Sequence, residues 1–319
     1  MKMKIFNSEE SVSKDLELVN FFAGFATRFL NQPFHVVKIR LQLQVEPIRL
    51  NRRSRFWGTN HCIKAMFKNE GFPSLWKGHT AAQVYFLVFS FTDFLSYSAL
   101  DSLRNRTNLA PNVPWISIAS GSFSSGLASL ICMPIDNIHT KLVAQSEPKT
   151  VKSFFHGFKY IYQTNGISGF YRGTLPSFLH RVPMTGTMFG LSSFLESLWD
   201  KYEDHSIPRA ILRRAREEEL RIFLCGGSAG ALTMLLVHPL DLARHRMQIQ
   251  GFEAARKRLG KTFVCSGFID CFVQTVRNEG FLGLYKGLWP NMFAAFLTMA
   301  YYNIFRERGI QYLVGRRDF

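Results

Sequence analysis

The sequence predicts an all-α membrane protein of three repeats, each giving two spanning helices with a short helix between them. Two strings that each occur three times, and apolar stretches of bilayer-crossing length, carry that expectation. The first string is Pro33-Phe34-His35-Val36-Val37-Lys38, Pro134-Ile135-Asp136-Asn137-Ile138-His139 and Pro239-Leu240-Asp241-Leu242-Ala243-Arg244. It is a proline, a polar residue two positions on, and a basic residue or His three beyond. In the second string, Glu70-Gly71 leads to Trp76-Lys77-Gly78, Asn165-Gly166 to Tyr171-Arg172-Gly173, and Glu279-Gly280 to Tyr285-Lys286-Gly287. The prolines stand 101 and 105 positions apart, so the period is longer than the 20–50 residues of soluble helical solenoids. An N-terminal tail is expected over 1–14, then repeats over 15–105, 106–205 and 206–319 within one integral domain.

The first helix of each repeat carries the proline, over roughly 15–44, 113–144 and 217–249. Each begins with small residues, such as Ala23-Gly24, Gly121 to Gly126, and Gly226 to Gly230. Glycine is costly in a soluble helix but lets helices approach closely in a membrane. The proline removes one hydrogen bond, which predicts a kink in each of these helices. Short surface helices are expected near 58–69, 157–165 and 267–278, opened by Gly58, Gly157 and Gly267. The second helices follow the aromatic-basic-Gly string, over roughly 79–104, 174–202 and 288–313. Ala81 to Leu100 is apolar apart from a few residues such as Gln83 and Asp93, and is long enough to span a bilayer. Six spans put both termini on one side.

Composition fits helices that surround water. Hydrophobic residues make up 47% of the 319 and the mean hydropathy is −0.01, low for a bundle that fills a bilayer but reasonable where each helix keeps a polar face. The net charge of +16 suits nucleic acid, an anionic membrane surface or an anionic solute. No nucleic-acid module is present, and the charge follows topology instead. Segments 38–79, 139–173 and 241–287 hold 22 of the 39 Lys and Arg, whereas 196–221 is nearly balanced. One side is therefore basic. Cys62, Cys132, Cys225, Cys265 and Cys271 show no paired spacing, so they read as isolated thiols without a metal or disulfide role. No cofactor motif, metal cluster or nucleophile–base set appears, so an enzyme is not expected. Glu9, Glu10, Asp15 and Glu17 argue against a secretory signal or an acid-poor transit peptide at the N-terminus.

These two strings resemble the signature of the mitochondrial solute carriers, over about residues 15 to 315. The resemblance implies a threefold pseudo-symmetric barrel of six tilted helices in the inner mitochondrial membrane, with short helices on the matrix side. It further implies one central substrate site reached alternately from each side. Within that family, Lys38 to Gln44, Trp76-Lys77-Gly78-His79 with Ala82-Gln83, Glu147-Pro148-Lys149, and Gly251 to Arg256 followed by Gly267 to Cys271 are similar to the thiamine pyrophosphate-carrying branch.

By the same resemblance, the acid of each proline motif pairs with the base of the next to close a matrix-side gate. Here that gives Asp136 with Arg244, Asp241 with Lys38, and His35 with His139. The last departs from the pattern at both ends. Neutral imidazoles there can share one hydrogen bond, while two imidazoliums would repel, so acid on the matrix side is expected to favour opening. Gln42 and Gln248 take the brace positions, and repeat two has Val143 instead. Of the cytoplasmic gate positions Ser98, Asp101, Ser193, Glu196, Glu307 and Ile310, only Glu307 fits, so closure there is expected to rest on packing by residues such as Tyr97 and Phe305.

The implied substrate positions are Arg28, Tyr85, His180 and Arg181, with Ser129, Met234 and Ala294. Arg28 and Arg181 suit bidentate capture of phosphate, and Tyr85 offers a ring to a heterocycle or cation. A structural ion pair is the plainer reading of either arginine, and a satisfied polar contact that of His180. Trp76, Lys77, Gly78, Tyr171, Arg172, Gly173, Tyr285, Lys286 and Gly287 are implied to hold cardiolipin at helix ends. The expected function is exchange of thiamine pyrophosphate, or a related phosphorylated cofactor or nucleotide, by a monomer. The alternatives are a carrier of another nucleotide-like cofactor, or a scaffold that transports nothing.

Overall fold

The computed structural model describes residues 2–45, 56–106, 114–145, 147, 149–203, 211–256 and 264–315. Among them are ten α-helices, four 3-10 turns and no strand. Repeat one has α1 (Lys2–Gln42), α2 (Thr59–Glu70) and α3 (His79–Arg106). Repeat two has α4 (Pro114–Ile131) and α5 (Met133–Ala144) in place of one proline helix, then α6 (Phe154–Asn165) and α7 (Thr174–Glu203). Repeat three has α8 (Ile211–Gln248), α9 (Phe268–Glu279) and α10 (Leu288–Gly315).

Four boundaries differ from expectation, and in the first of them α8, expected from about 217, begins at Ile211. The tail placed at 1–14 is helical from Lys2 and continuous with α1, because neither Gly nor Pro interrupts Lys2 to Leu18. The helix at 157–165 begins earlier, at Phe154, because Ser153 caps it by accepting the backbone N–H of His156, so Gly157 lies inside the first turn. Prolines 33 and 239 sit within continuous helices, whereas repeat two breaks at Cys132 with a bend of 68°. In α1 the Phe29 carbonyl, deprived of a helical donor by Pro33, accepts the Trp76 indole N–H at 3.2 Å.

Neighbouring helices pack in chain order, and α10 returns onto α1 to close a ring. α1, α5 and α8 also meet one another beyond their prolines. Polarity is inverted relative to a soluble bundle. Phe22, Phe91, Leu236 and Trp289 are 60–79% exposed, while Lys38, Asp136, Asp241 and Arg244 are buried. Such a distribution is stable only if the outer face meets hydrocarbon. By length and mean hydropathy alone, one helix, Leu220–Gln248 at 1.7, passes as a span, and the bent α4–α5 pair is a second. In the others, interior-facing polar groups dilute the apolar signal.

The repeats are stapled in a cycle. Lys77 Nζ lies 2.7 Å from Glu147, beyond α5. Arg172 donates to the Gln250 carbonyl beyond α8 at 2.5 Å. Lys286 donates to the carbonyls of Gln44 and Val45 beyond α1 at 3.0 and 2.8 Å. Each string thus reaches the segment just beyond the proline helix of the next repeat. Gly287 shows why the string ends in glycine: its φ is +78°, and a Cβ there would stand 3.0 Å from the Lys38 carbonyl.

Buried acids anchor two of these cations. Glu70 takes both guanidinium nitrogens of Arg40, at 2.7 and 2.8 Å, and Lys77 at 2.5 Å. Glu279 does the same for Arg246 and Lys286. Burial alone would raise the Glu70 carboxyl, but the bonds and charges of Arg40 and Lys77 hold it below its ordinary value. Repeat two has Lys141 and Asn165 at these positions, so it lacks that carboxylate.

Candidate functional site

The proline motifs bring their charges together where α1, α5 and α8 meet. An acid and a base three residues apart share a helix face, so each can reach across to a neighbouring helix. Lys38 Nζ stands 3.0 Å from Asp241 Oδ2, and Arg244 Nη1 3.2 Å from Asp136 Oδ2. Arg244 also bonds Asp241 of its own helix at 2.9 Å. Gln42 donates to Asp241 at 2.9 Å and Gln248 to Asp136 at 2.6 Å. The Gln248 amide oxygen accepts in turn from Thr140 at 2.8 Å. Among the described residues, these contacts form one polar layer across the end of the barrel.

His35 and His139 both line the cavity over this layer, but the shared hydrogen bond expected between them is not formed. His139 Nε2 is buried without a hydrogen-bond partner. Imidazole carries its nitrogens closer to the backbone than Lys or Arg does, so the pair does not span a gap that an ion pair closes. Three further histidines surround the layer. His180 and His245 each lie 3.7 Å from Asp241 Oδ1. His238 bonds the Lys286 carbonyl at 2.9 Å and Asn291 at 3.1 Å, which ties α8 to the third string.

The cavity above the layer holds about 210 Å³ and is lined by Arg28, Tyr85, His180, Arg181 and Met234. Arg181 donates to the Tyr85 hydroxyl at 2.8 Å and stacks 4.7 Å from the Phe89 centroid. The guanidinium carbons of Arg28 and Arg181 lie 5.8 and 5.7 Å from the Tyr85 centroid. The Nε atoms of both arginines are buried without a hydrogen-bond partner, and neither arginine enters an ion pair among the described residues. Two uncompensated guanidiniums beside one ring form a preorganised anion site. Wider cavities of about 890 and 570 Å³ continue toward the opposite end of the barrel. In this structure the interior is closed at the proline motifs and open at the other end.

Ser129 and Ala294 do not line the lower cavity. The Ser129 hydroxyl bonds the Gly126 carbonyl at 2.7 Å, and Ala294 is fully buried. Lys77 and Lys286, expected to face lipid, are turned inward and buried on Glu70 and Glu279, and Arg172 reaches inward to Gln250. Tyr171 is exposed, whereas Trp76 and Tyr285 are half-buried. Glu307 lies on α10, but its side chain is outside the described set. Tyr97 lines the wider cavity, and Phe305 stacks on Tyr301 at 6.1 Å.

Sequence reasoning missed Phe89, although it stands one turn beyond Tyr85 on the same face of α3. It also gave no role to Arg256, in the segment that follows the third motif. Arg256 is buried, and its guanidinium donates to the carbonyls of Leu43 and Ala144, both at 3.2 Å. One side chain from beyond α8 thereby joins the ends of α1 and α5. Phe252, in the same turn, packs in a cluster with Ala81, Ile138 and Leu142. No group of His, Cys, Asp and Glu among the described residues is placed to hold a metal ion.

Comparison with known proteins gives the same threefold division. A family model described as mitochondrial carrier protein matches residues 17–107, 111–203 and 217–317. The mitochondrial thiamine pyrophosphate carrier of Homo sapiens is 32% identical, over 88% of this chain and 86% of the relative. The mitochondrial thiamine diphosphate carrier 1 of Zea mays is 30% identical, over 86% and 87%. The mitochondrial thiamine pyrophosphate carrier 1 of Neurospora crassa is 28% identical, over 86% and 84%.

Proposed function

The chain belongs to the mitochondrial carrier protein family, whose members are transporters spanning the inner mitochondrial membrane several times, and from that premise we propose that it exchanges thiamine pyrophosphate, or a closely related phosphorylated cofactor, across that membrane. The observation that carries this reading is the Arg28–Tyr85–Arg181 cluster, with two guanidiniums free of carboxylates at the foot of an open interior. Arg28 and Arg181 take the phosphate oxygens. Tyr85 and Phe89, stacked at 5.5 Å, offer ring faces to the heterocycle. His180 supplies a further polar contact. The names of the relatives support the choice of cofactor.

The ion-pair layer acts as the matrix gate. Lys38–Asp241 and Asp136–Arg244, braced by Gln42 and Gln248, hold α1, α5 and α8 together while the site faces the other side. Breaking buried pairs is unfavourable unless new contacts replace them, so the substrate must bind the transition between the two closed forms more tightly than either end state. Glu307 belongs to the opposite gate. Lipid contact fits the outer strings: a groove of about 530 Å³ runs between the N-terminal ends of α2 and α10, beside Gly58 and Gly287, where backbone N–H groups suit a cardiolipin phosphate.

Exchange in liposomes tests the reading. Purified protein, preloaded and supplied with labelled thiamine pyrophosphate, is expected to exchange it, and excess ligand is expected to raise the melting temperature. Exchange of nucleotides alone would reassign the cofactor. Failure to exchange any anion would favour the non-transporting scaffold, for which the missing His35–His139 pair is the specific observation.

A further inference from the structure

The cavity of about 570 Å³ lies between α3, α4 and α7, above the arginine floor, and Phe89, whose ring faces Arg181, is one of its walls. Phe89, Phe94, Tyr97 and Phe189 line it, and its one carboxylate is Asp93. Tyr85, Phe89, Asp93 and Tyr97 recur every four residues, so they follow one face of α3. Asp93 stands two turns beyond Tyr85, about 12 Å along the axis. The hydroxyls of Ser124 and Ser125 on α4 donate to Asp93 Oδ1 at 2.7 and 3.3 Å. Both bonds fall on Oδ1, and Asp93 enters no ion pair among the described residues. A carboxylate at this depth is expensive unless a cation or water compensates it, and aromatic faces attract the same kind of partner.

We propose that this cavity is a cation subsite, which takes the positively charged aromatic ring of a substrate whose phosphates rest on Arg28 and Arg181. The inference rests on the phosphorylated-cofactor reading above and deepens it. The two ends of the site have opposite sign. A molecule with a fixed positive ring at one end and a diphosphate at the other satisfies both. A nucleotide has the phosphates but a neutral base, so Asp93 offers it a hydrogen bond at most and no charge pair. Asp93 therefore acts in specificity, while the two arginines act in affinity for phosphate.

A matched pair of ligands separates these roles. Thiamine pyrophosphate carries a cationic thiazolium, and its deaza analogue keeps the shape and the diphosphate without the ring charge. Equilibrium binding to the purified full-length protein is expected to favour the charged compound about tenfold, equivalent to about 1.4 kcal/mol. In Asp93→Asn the charged compound is expected to weaken until the two are alike, with the analogue unchanged. Equal affinities in the wild type, or an Asp93→Asn variant that weakens both compounds equally, would overturn the subsite while leaving the phosphate reading intact. Binding of neither compound would overturn both. If Asp93→Asn fails to fold, the wild-type comparison decides alone.

Discussion

Arg181 is held at once by the Tyr85 hydroxyl, the Tyr85 and Phe89 rings and the Met184 sulfur. Lysine keeps the charge but loses the planar fork and the stacking. Arg181→Lys should weaken binding of a phosphorylated substrate at least tenfold, from loss of a charge-assisted bond of about 1.5–3 kcal/mol, with the fold retained in a thermal melt. Glu70 lies outside the spans and carries a different prediction. Its carboxyl is held below the ordinary 4.5, so its stabilisation is complete above that value and is lost as pH falls through the lower folded value. Glu70→Gln should therefore lower the melting temperature clearly at neutral pH, because Arg40 and Lys77 lose a buried partner, typically worth about 3–5 kcal/mol. The difference from wild type should shrink in strong acid. The arginines of the site were legible in the sequence because charge inside an apolar span has few explanations. Glu70 was legible only as part of a repeated string, since nothing local says that its partner sits 30 residues earlier on α1.

At the scale of elements, the turn that follows α8 changes most between sequence and structure. Gly251 to Arg256 stands out as a string without an evident task. Folded, Arg256 binds the last carbonyls of two other helices, groups that a helix end leaves without internal donors. Arg256→Ala should lower the melting temperature, and Arg256→Lys should recover only part of the loss, because an ammonium lacks the fork that reaches Leu43 and Ala144 together. If the ion-pair layer is the matrix gate proposed above, opening it separates α1, α5 and α8, and Arg256→Ala should also speed labelling of a cysteine introduced above that layer from the matrix side. Unchanged labelling would limit Arg256 to a static role. The bend at Cys132 was likewise beyond sequence reasoning, since all three proline motifs predict a kink and only the second breaks its helix.

The whole molecule is a closed cycle with one weak sector. Lys77, Arg172 and Lys286 each bind the next repeat, so a defect in one staple is shared around the ring. Repeat two contributes most of the irregularities: His139 for a base, Val143 for a brace, Asn165 for an acid, and a broken helix. Completing the third ion pair with His35→Asp/His139→Arg should raise the melting temperature and slow exchange in liposomes, because opening would then break three pairs. Faster exchange without added stability would show that the two histidines were not the weak point of closure.

The sequence by itself determined the three repeats, the membrane, the boundaries of most helices and the identity of the charged residues inside, because period, apolar length and buried charge are properties of the chain alone. Only the tertiary structure decided which partner each charge takes. It turned the basic residue of each string inward, left His35 and His139 unjoined, assigned Arg244 to two carboxylates, and put Arg256 across two helix ends. Most of those outcomes depend on reach and angle between elements 70 to more than 200 residues apart, and a distance of 3 Å across a barrel has no signature along the chain.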